Sequence, residues 1–224
     1  MVAHLAAMEA EQRGDLAAAE GHWREAIREG RDPAPARRGL ARLLQREGRL
    51  ADAAAEVDRN LRAARTAADR DVEDVELAAA LARSRGDARA PGFEAELGQA
   101  RRRAWARART EDGIALVRGG RPREALAAFR ESIAADDADA PTRTHLGFLL
   151  IDLRDEGAAA VELTRATQLD PALAEAWFGL GASIDRRGDR AGAAAAFRRY
   201  LALESRGDWA DQARRRLGEL EAGR

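Results

Sequence analysis

Catalytic or metal-binding chemistry in this sequence would have to come from a small set of residues. There is no cysteine, which excludes disulfides, thiolate catalysis and cysteine-ligated metals. The three histidines are His4, His22 and His145. None of them has a second histidine at a metal-ligand spacing. Asp136, Asp137 and Asp139 resemble part of a calcium loop but lack its bidentate glutamate. We therefore expect no metal and no other cofactor.

Nucleophile and phosphate motifs are also missing. The turn Gly119-Gly120-Arg121-Pro122 resembles a phosphate-binding loop only in its glycines, because the sequence contains no lysine. There is no G-x-S-x-G and no H-E-x-x-H segment. The sequence therefore predicts a protein that is not an enzyme.

Arginine supplies the one strong local charge, with eight arginines between Arg101 and Arg123 against Glu111 and Asp112. Such a patch could contact phosphates or an acidic partner. The formal net charge is only −1, however, and Trp105 is the only aromatic residue in the segment. We favour solvated helix faces with ion pairs between helices, and predict no nucleic-acid partner. No stretch approaches the ~18 apolar residues of a membrane span, so we expect no membrane insertion.

Glycine recurs at a regular interval along the chain. The recurring glycines are Gly14, Gly48, Gly86, Gly120 and Gly188. Their gaps are 34, 38, 34 and 68 residues, the last being twice 34, and Arg154 occupies the skipped position. A period of about 34 residues indicates a helix-pair repeat closed by a tight turn.

The segment Ala174 to Ser205, AEAWFGLGASIDRRGDRAGAAAAFRRYLALES, resembles the tetratricopeptide repeat consensus. Its matching residues are Trp177, Leu180, Gly181, Ile184, Gly188, Ala193 and Phe197. The resemblance implies an all-α fold, a right-handed α-solenoid of antiparallel helix pairs in a single domain over 1–224. The six implied repeats are 1–33, 34–67, 72–105, 106–139, 140–173 and 174–207, with a capping helix at 208–222.

Three details refine this expectation. Each turn glycine should adopt a left-handed backbone at the end of a first helix. Gly147 and Gly181 should lie where two helices cross closely, and Pro91 should delay the start of its helix to about Phe93. Asp112 stands where the family usually has leucine, so either an arginine reaches it or it faces solvent.

The resemblance also implies that the first helix of each repeat lines a concave groove. The partner-binding residues expected on this basis are Ile114, Val117, Arg118, Thr144, His145, Phe148, Ile151, Phe178 and Arg186. Their apolar members would form a strip edged by charge, which is typical of a binding groove. The alternative is that these apolar residues only pack within their own repeats.

We expect a bacterial-type adaptor or scaffold that binds a partner peptide or helix in this groove. The alternative is a structural subunit that docks or self-associates through its convex face or end cap. A third possibility, a lipoprotein scaffold, needs an N-terminal cysteine that the sequence lacks. Asn60 is the only asparagine, so the family's clamp for chaperone C-terminal tails is not expected. We expect a cytoplasmic protein, or a periplasmic one if a leader has been removed.

Overall fold

The computed structural model describes residues 2–65 and 70–222, and within them every regular element is an α-helix. The chain forms two compact units, the first ending at Arg101 and the second beginning at Arg102. Unit 1 contains α1 (Val2–Gln12), α2 (Leu16–Glu29), α3 (Ala34–Arg46), α4 (Leu50–Ala63) and α5 (Val72–Ser84). Helix α6 (Ala90–Arg118) begins in unit 1 and ends in unit 2. Unit 2 continues with α7 (Pro122–Ala135), α8 (Ala140–Asp152), α9 (Glu156–Leu169), α10 (Ala174–Arg186), α11 (Arg190–Leu203) and α12 (Asp208–Ala222).

Consecutive helices pack on one another within each unit, α1 on α2 and α3 on α4 in unit 1, α8 on α9 and α10 on α11 in unit 2. The predicted all-α fold of helix pairs is confirmed, and α12 covers the range predicted for the capping helix. The arrangement of both units as a single solenoid stays a prediction.

The turns between paired helices have the predicted backbone. All five recurring glycines have φ between 63° and 87°, and Arg154 has φ 64° at the position where glycine is missing. An aspartate often follows the turn and caps the next helix, as when Asp189 Oδ1 accepts a hydrogen bond from the Gly192 amide at 2.8 Å. The glycine therefore ends one helix, and the aspartate begins the next.

Glycines also permit close helix crossings in unit 2. A Cβ built on Gly147 would lie 2.4 Å from Leu163 Cγ, and one on Gly181 would lie 2.8 Å from the Phe197 ring. Because carbon atoms normally stay about 3.5 Å apart or more, these positions accept only glycine without rearrangement. The prediction of small residues at these crossings is confirmed.

Helix α6 departs from the predicted repeat boundaries. We expected one helix to end near residue 105 and another to begin at 106, but α6 runs unbroken through both positions. The physical reason is that residues 100–109 contain no proline or turn sequence and consist, apart from Trp105, of the helix formers alanine and arginine. Pro91 lies in the first turn of α6, which begins at Ala90 rather than near Phe93.

Candidate functional site

The nine residues predicted to bind a partner all belong to unit 2, on α6, α8 and α10. Six of them keep accessible surface: Ile114, Val117, Arg118, His145, Phe148 and Arg186. Val117 is 40% exposed, while Ile114 and Phe148 are half-buried. Arg186 is exposed, and its Nη1 lies 3.8 Å from Oε1 of Glu156. These side chains remain candidates for direct contact.

The expected exposure of the other three is wrong. Thr144 is buried and donates a hydrogen bond from its hydroxyl to the Ala140 carbonyl, one turn earlier in the same helix, at 2.9 Å. Ile151 is buried in the core between α8 and α9. Phe178 is 6% exposed because the rings of Phe197, Tyr200 and Trp209 surround it. Thr144, Ile151 and Phe178 therefore lie beneath the candidate binding surface and do not form part of it.

Three rings form an aromatic cluster: Phe148 from α8, Phe178 from α10 and Trp209 from the first turn of α12. The Trp209 ring stacks on Phe178 with centroids 4.9 Å apart and planes 11° apart. Phe148 approaches Trp209 from the side, at 5.5 Å and 41°. Trp209 remains 42% exposed. The cluster therefore places a partly exposed indole on the buried ring of Phe178 and beside Phe148, two members of the predicted apolar strip.

Charged and titratable groups surround the cluster. Burial lowers the pKa of His145, which stacks on Phe129 at 6.1 Å, and the charges of Asp139 and Glu175 oppose this shift. Burial also raises the pKa of Tyr200, and the negative charges of Glu204 and Glu175 raise this pKa further. Glu175 is exposed one helical turn before Phe178 on α10, so it lies at the edge of the aromatic cluster.

Unit 1 has a groove of its own, which we call the N-terminal cleft. It encloses about 970 Å³ between the first helices α1, α3 and α5. Met8, Arg42, Arg46 and Leu77 are among its lining residues, and the buried ring of Trp23 lies at its base. The cleft is thus a mixed polar and apolar surface on the first helices.

The charges of the N-terminal cleft are largely paired within it. The indole Nε1 of Trp23 donates to Glu11 Oε1 at 2.6 Å, and Arg46 binds the other oxygen of the same carboxylate. Arg42 donates to Glu73 at 3.0 Å. These contacts join α1, α2, α3 and α5, so they explain the organisation of the cleft without requiring a ligand.

A buried polar network lies beside the cleft. The side-chain amide of Asn60 donates to the Ala34 carbonyl and to Asp74 Oδ1, both at 3.0 Å. Arg38 places its Nε 3.6 Å from the same carboxylate, and burial raises the pKa of Asp74 against these two favourable contacts. The only asparagine of the chain therefore has a structural role on the second helix α4.

Comparison with known proteins identifies the architecture. No protein-family profile and no curated protein matches the chain. Solved structures do match. The first TPR domain of Spaghetti (RPAP3) bound to the HSP90 peptide SRMEEVD is 20% identical, with 54% of this chain and 95% of that chain covered and a TM-score of 0.51. The Arabidopsis OM64 TPR domain is 24% identical, with 53% and 98% covered and a TM-score of 0.50. This chain has the tetratricopeptide repeat fold.

The tetratricopeptide register shows how sequence reasoning could have found the residues it missed. Adding 34 to Glu175 gives Trp209, and subtracting 34 from Arg42 gives Met8. Met8 lines the N-terminal cleft and Trp209 belongs to the aromatic cluster, but the groove positions were counted only from 106, 140 and 174. Applying the same groove positions to the capping helix and to the first two repeats predicts that Trp209 and much of the N-terminal cleft face a groove.

Other candidate chemistry finds no support in the described part of the chain. No group of three or more histidine, aspartate or glutamate side chains there could hold a metal ion. Asp112 is exposed and accepts a hydrogen bond from Arg109 Nη1 at 2.8 Å, so both explanations of this residue hold together. None of the described helices is long and apolar enough to cross a membrane.

Proposed function

We propose that this protein binds a segment of a partner protein along the groove face of unit 2. The observation that carries the proposal is the aromatic cluster, in which Trp209 is 42% exposed and Phe148 is half-buried on the face formed by first helices. Large aromatic side chains in such positions are typical binding anchors, because they offer apolar area at low conformational cost. Val117 and Ile114 extend the apolar surface toward α6.

The partner differs from a chaperone C-terminal tail. The matching Spaghetti domain is bound to an HSP90 peptide, but the likeness of this chain to that domain is one of fold. In this chain the single asparagine, Asn60, lies on the second helix α4, and its amide is already bonded to Ala34 and Asp74. A binding protein that acts as a cytoplasmic adaptor, without catalysis, fits the residues best.

The test is Phe148→Asp, with binding and the thermal midpoint measured together. A peptide selected from a randomised library on the full chain serves as the ligand. We expect binding to fall by at least about 10-fold, since a buried apolar anchor contributes 2 kcal/mol or more at an interface. The thermal midpoint should change little. Position 148 is only half-buried, so the carboxylate of the new aspartate can remain in contact with solvent in the groove.

Val161→Asp is the matched control. Val161 is 66% exposed on the second helix α9, so the same change there should leave binding intact. Val117→Asp, at a 40% exposed position, is a second groove variant in case Phe148→Asp lowers the midpoint. Unchanged binding in both groove variants would overturn the proposal.

A second candidate function is a structural subunit that docks through an outer surface. It is favoured by the apolar side chains of α1, where Val2 is 84% exposed and Leu5 is 57% exposed. Loss of an assembled species on Leu5→Asp, seen by sedimentation, would support this function. A monomer unaffected by that change would exclude this surface.

A further inference from the structure

Trp209 presents a fixed aromatic surface to solvent. Phe178 covers one face of the indole at 4.9 Å, and Phe148 limits its movement at 5.5 Å. The next residues of α12, Ala210 and Ala213, are fully buried and hold the helix in place. The exposed part of the ring is therefore preorganised to receive a flat or cationic group.

An uncompensated carboxylate accompanies this surface. Glu175 precedes Phe178 by three residues on α10, so the two side chains share one side of the helix. Glu175 is exposed and makes no ion pair or hydrogen bond with any residue in the described ranges. Its position one helical turn before Phe178 places it at the edge of the aromatic cluster.

Two arginines of α12, Arg214 and Arg216, are already paired within the chain. Arg214 donates to Asp211 at 2.5 Å and also binds the Ser205 carbonyl. Arg216 binds Asp185 through two nitrogens, at 2.5 and 2.9 Å. The cation that would complement Glu175 is thus not supplied by these residues.

We propose that the aromatic cluster receives an arginine side chain of the bound segment, which stacks on Trp209 and pairs with Glu175. This inference rests on the proposed function of the groove. Tryptophan is the best aromatic partner for a cation, and a planar guanidinium can stack on the ring while its N–H groups bind a carboxylate. A ligand carboxylate would be repelled by Glu175, and a purely aliphatic anchor would leave that charge without a partner.

The experiment selects twelve-residue peptides from a randomised library on the full chain and synthesises a leading binder. We expect the binders to contain arginine beside an apolar residue. Replacing that arginine by citrulline, its uncharged isostere, should weaken binding to the unaltered protein by about 10-fold, the effect of a partly desolvated cation on an aromatic ring. With Glu175→Gln or Trp209→Ala the same replacement should cost much less, because part of the recognition has been removed.

Glu9→Gln, which removes an exposed carboxylate from unit 1, is the control and should retain the full citrulline effect. Unchanged thermal midpoints exclude loss of the fold. If Phe148→Asp abolishes binding but the peptides lack arginine, or if citrulline costs the same with Glu175→Gln as without it, this inference is overturned and the groove function stands. If neither Phe148→Asp nor Val117→Asp affects binding, the proposed function itself fails.

Discussion

Replacing Gly147 by alanine tests the close helix crossing of α8 and α9. The new Cβ would lie 2.4, 2.8 and 2.9 Å from three carbons of Leu163, where about 3.5–4.0 Å is normal. Leu163 has little space into which it can move. Its side chain is fully buried, and its Cδ2 also lies 2.9 Å from the position of a Cβ on Gly179.

The expected loss of stability follows from two opposing effects. Overpacking a core costs about 1–3 kcal/mol, and three severe overlaps place this site near the upper end. Alanine gains about 1 kcal/mol over glycine in a helix interior. We therefore expect Gly147→Ala to lower the free energy of unfolding by roughly 2 kcal/mol.

Urea unfolding followed by the helical circular dichroism signal measures this change. Gly157→Ala is the matched control, because Gly157 is exposed in α9 and its Cβ would meet only Asp155 Oδ1 at 3.7 Å. The control should be neutral or stabilising. In a Leu163→Ala background, Gly147→Ala should no longer destabilise, since the overlapping atoms are gone. Equal stability of Gly147→Ala and Gly157→Ala would refute the reasoning.

Three further substitutions probe unit 1 and the turns. Because burial raises the pKa of Asp74 in the folded state, its contribution to stability is complete below about pH 4 and is lost as pH rises through the raised pKa. Asp74→Asn should therefore gain stability relative to the unaltered protein as pH increases above about 4, and a constant difference in urea midpoints would contradict this. Arg154→Gly should stabilise unit 2 by up to about 1 kcal/mol, since Arg154 has φ 64°, whereas Gly188→Ala at φ 87° should destabilise it by a similar amount. A lower thermal midpoint for Arg154→Gly would show that its left-handed backbone is not strained.

The turns and the capping helix could be predicted from the sequence because local chemistry determines them. A glycine with a left-handed backbone needs no information about distant contacts, and its regular spacing even indicated Arg154 as a glycine substitute. Gly181 and Phe197 recur at fixed positions of the repeat, so their contact also follows from the register.

The long helix α6 shows where regular spacing misleads. Pro33 and Pro171 lie in the junctions before α3 and α10, and Pro141 lies in the first turn of α8, but the segment around residue 105 contains no proline. Without a residue that ends a helix, the chain continued through the expected turn. At this position the absence of proline therefore predicts a continuous helix, and it is a better guide than the 34-residue period.

The sequence predicted which aromatic residues share one face of unit 2, but not which of them are exposed. The register assigned Phe148 and Phe178 to groove-facing positions, and both rings contact Trp209, Phe178 by stacking and Phe148 from the side. Whether such a ring is open or covered depends on how far neighbouring side chains reach, as Tyr200 and Trp209 do over Phe178. That information belongs to tertiary packing, which the spacing of single residues does not contain.

The glycine contacts of unit 2 have a consequence for how such a chain can lengthen. Gly147 meets Leu163 and Gly181 meets Phe197, each pair being 16 residues apart and within one predicted repeat. Duplication of the part of the gene that encodes one repeat would copy both residues of such a pair: the glycine that leaves space and the large side chain that fills this space. The new copy would arrive with its internal fit already complete, so selection would need to adjust only the surfaces facing its neighbours.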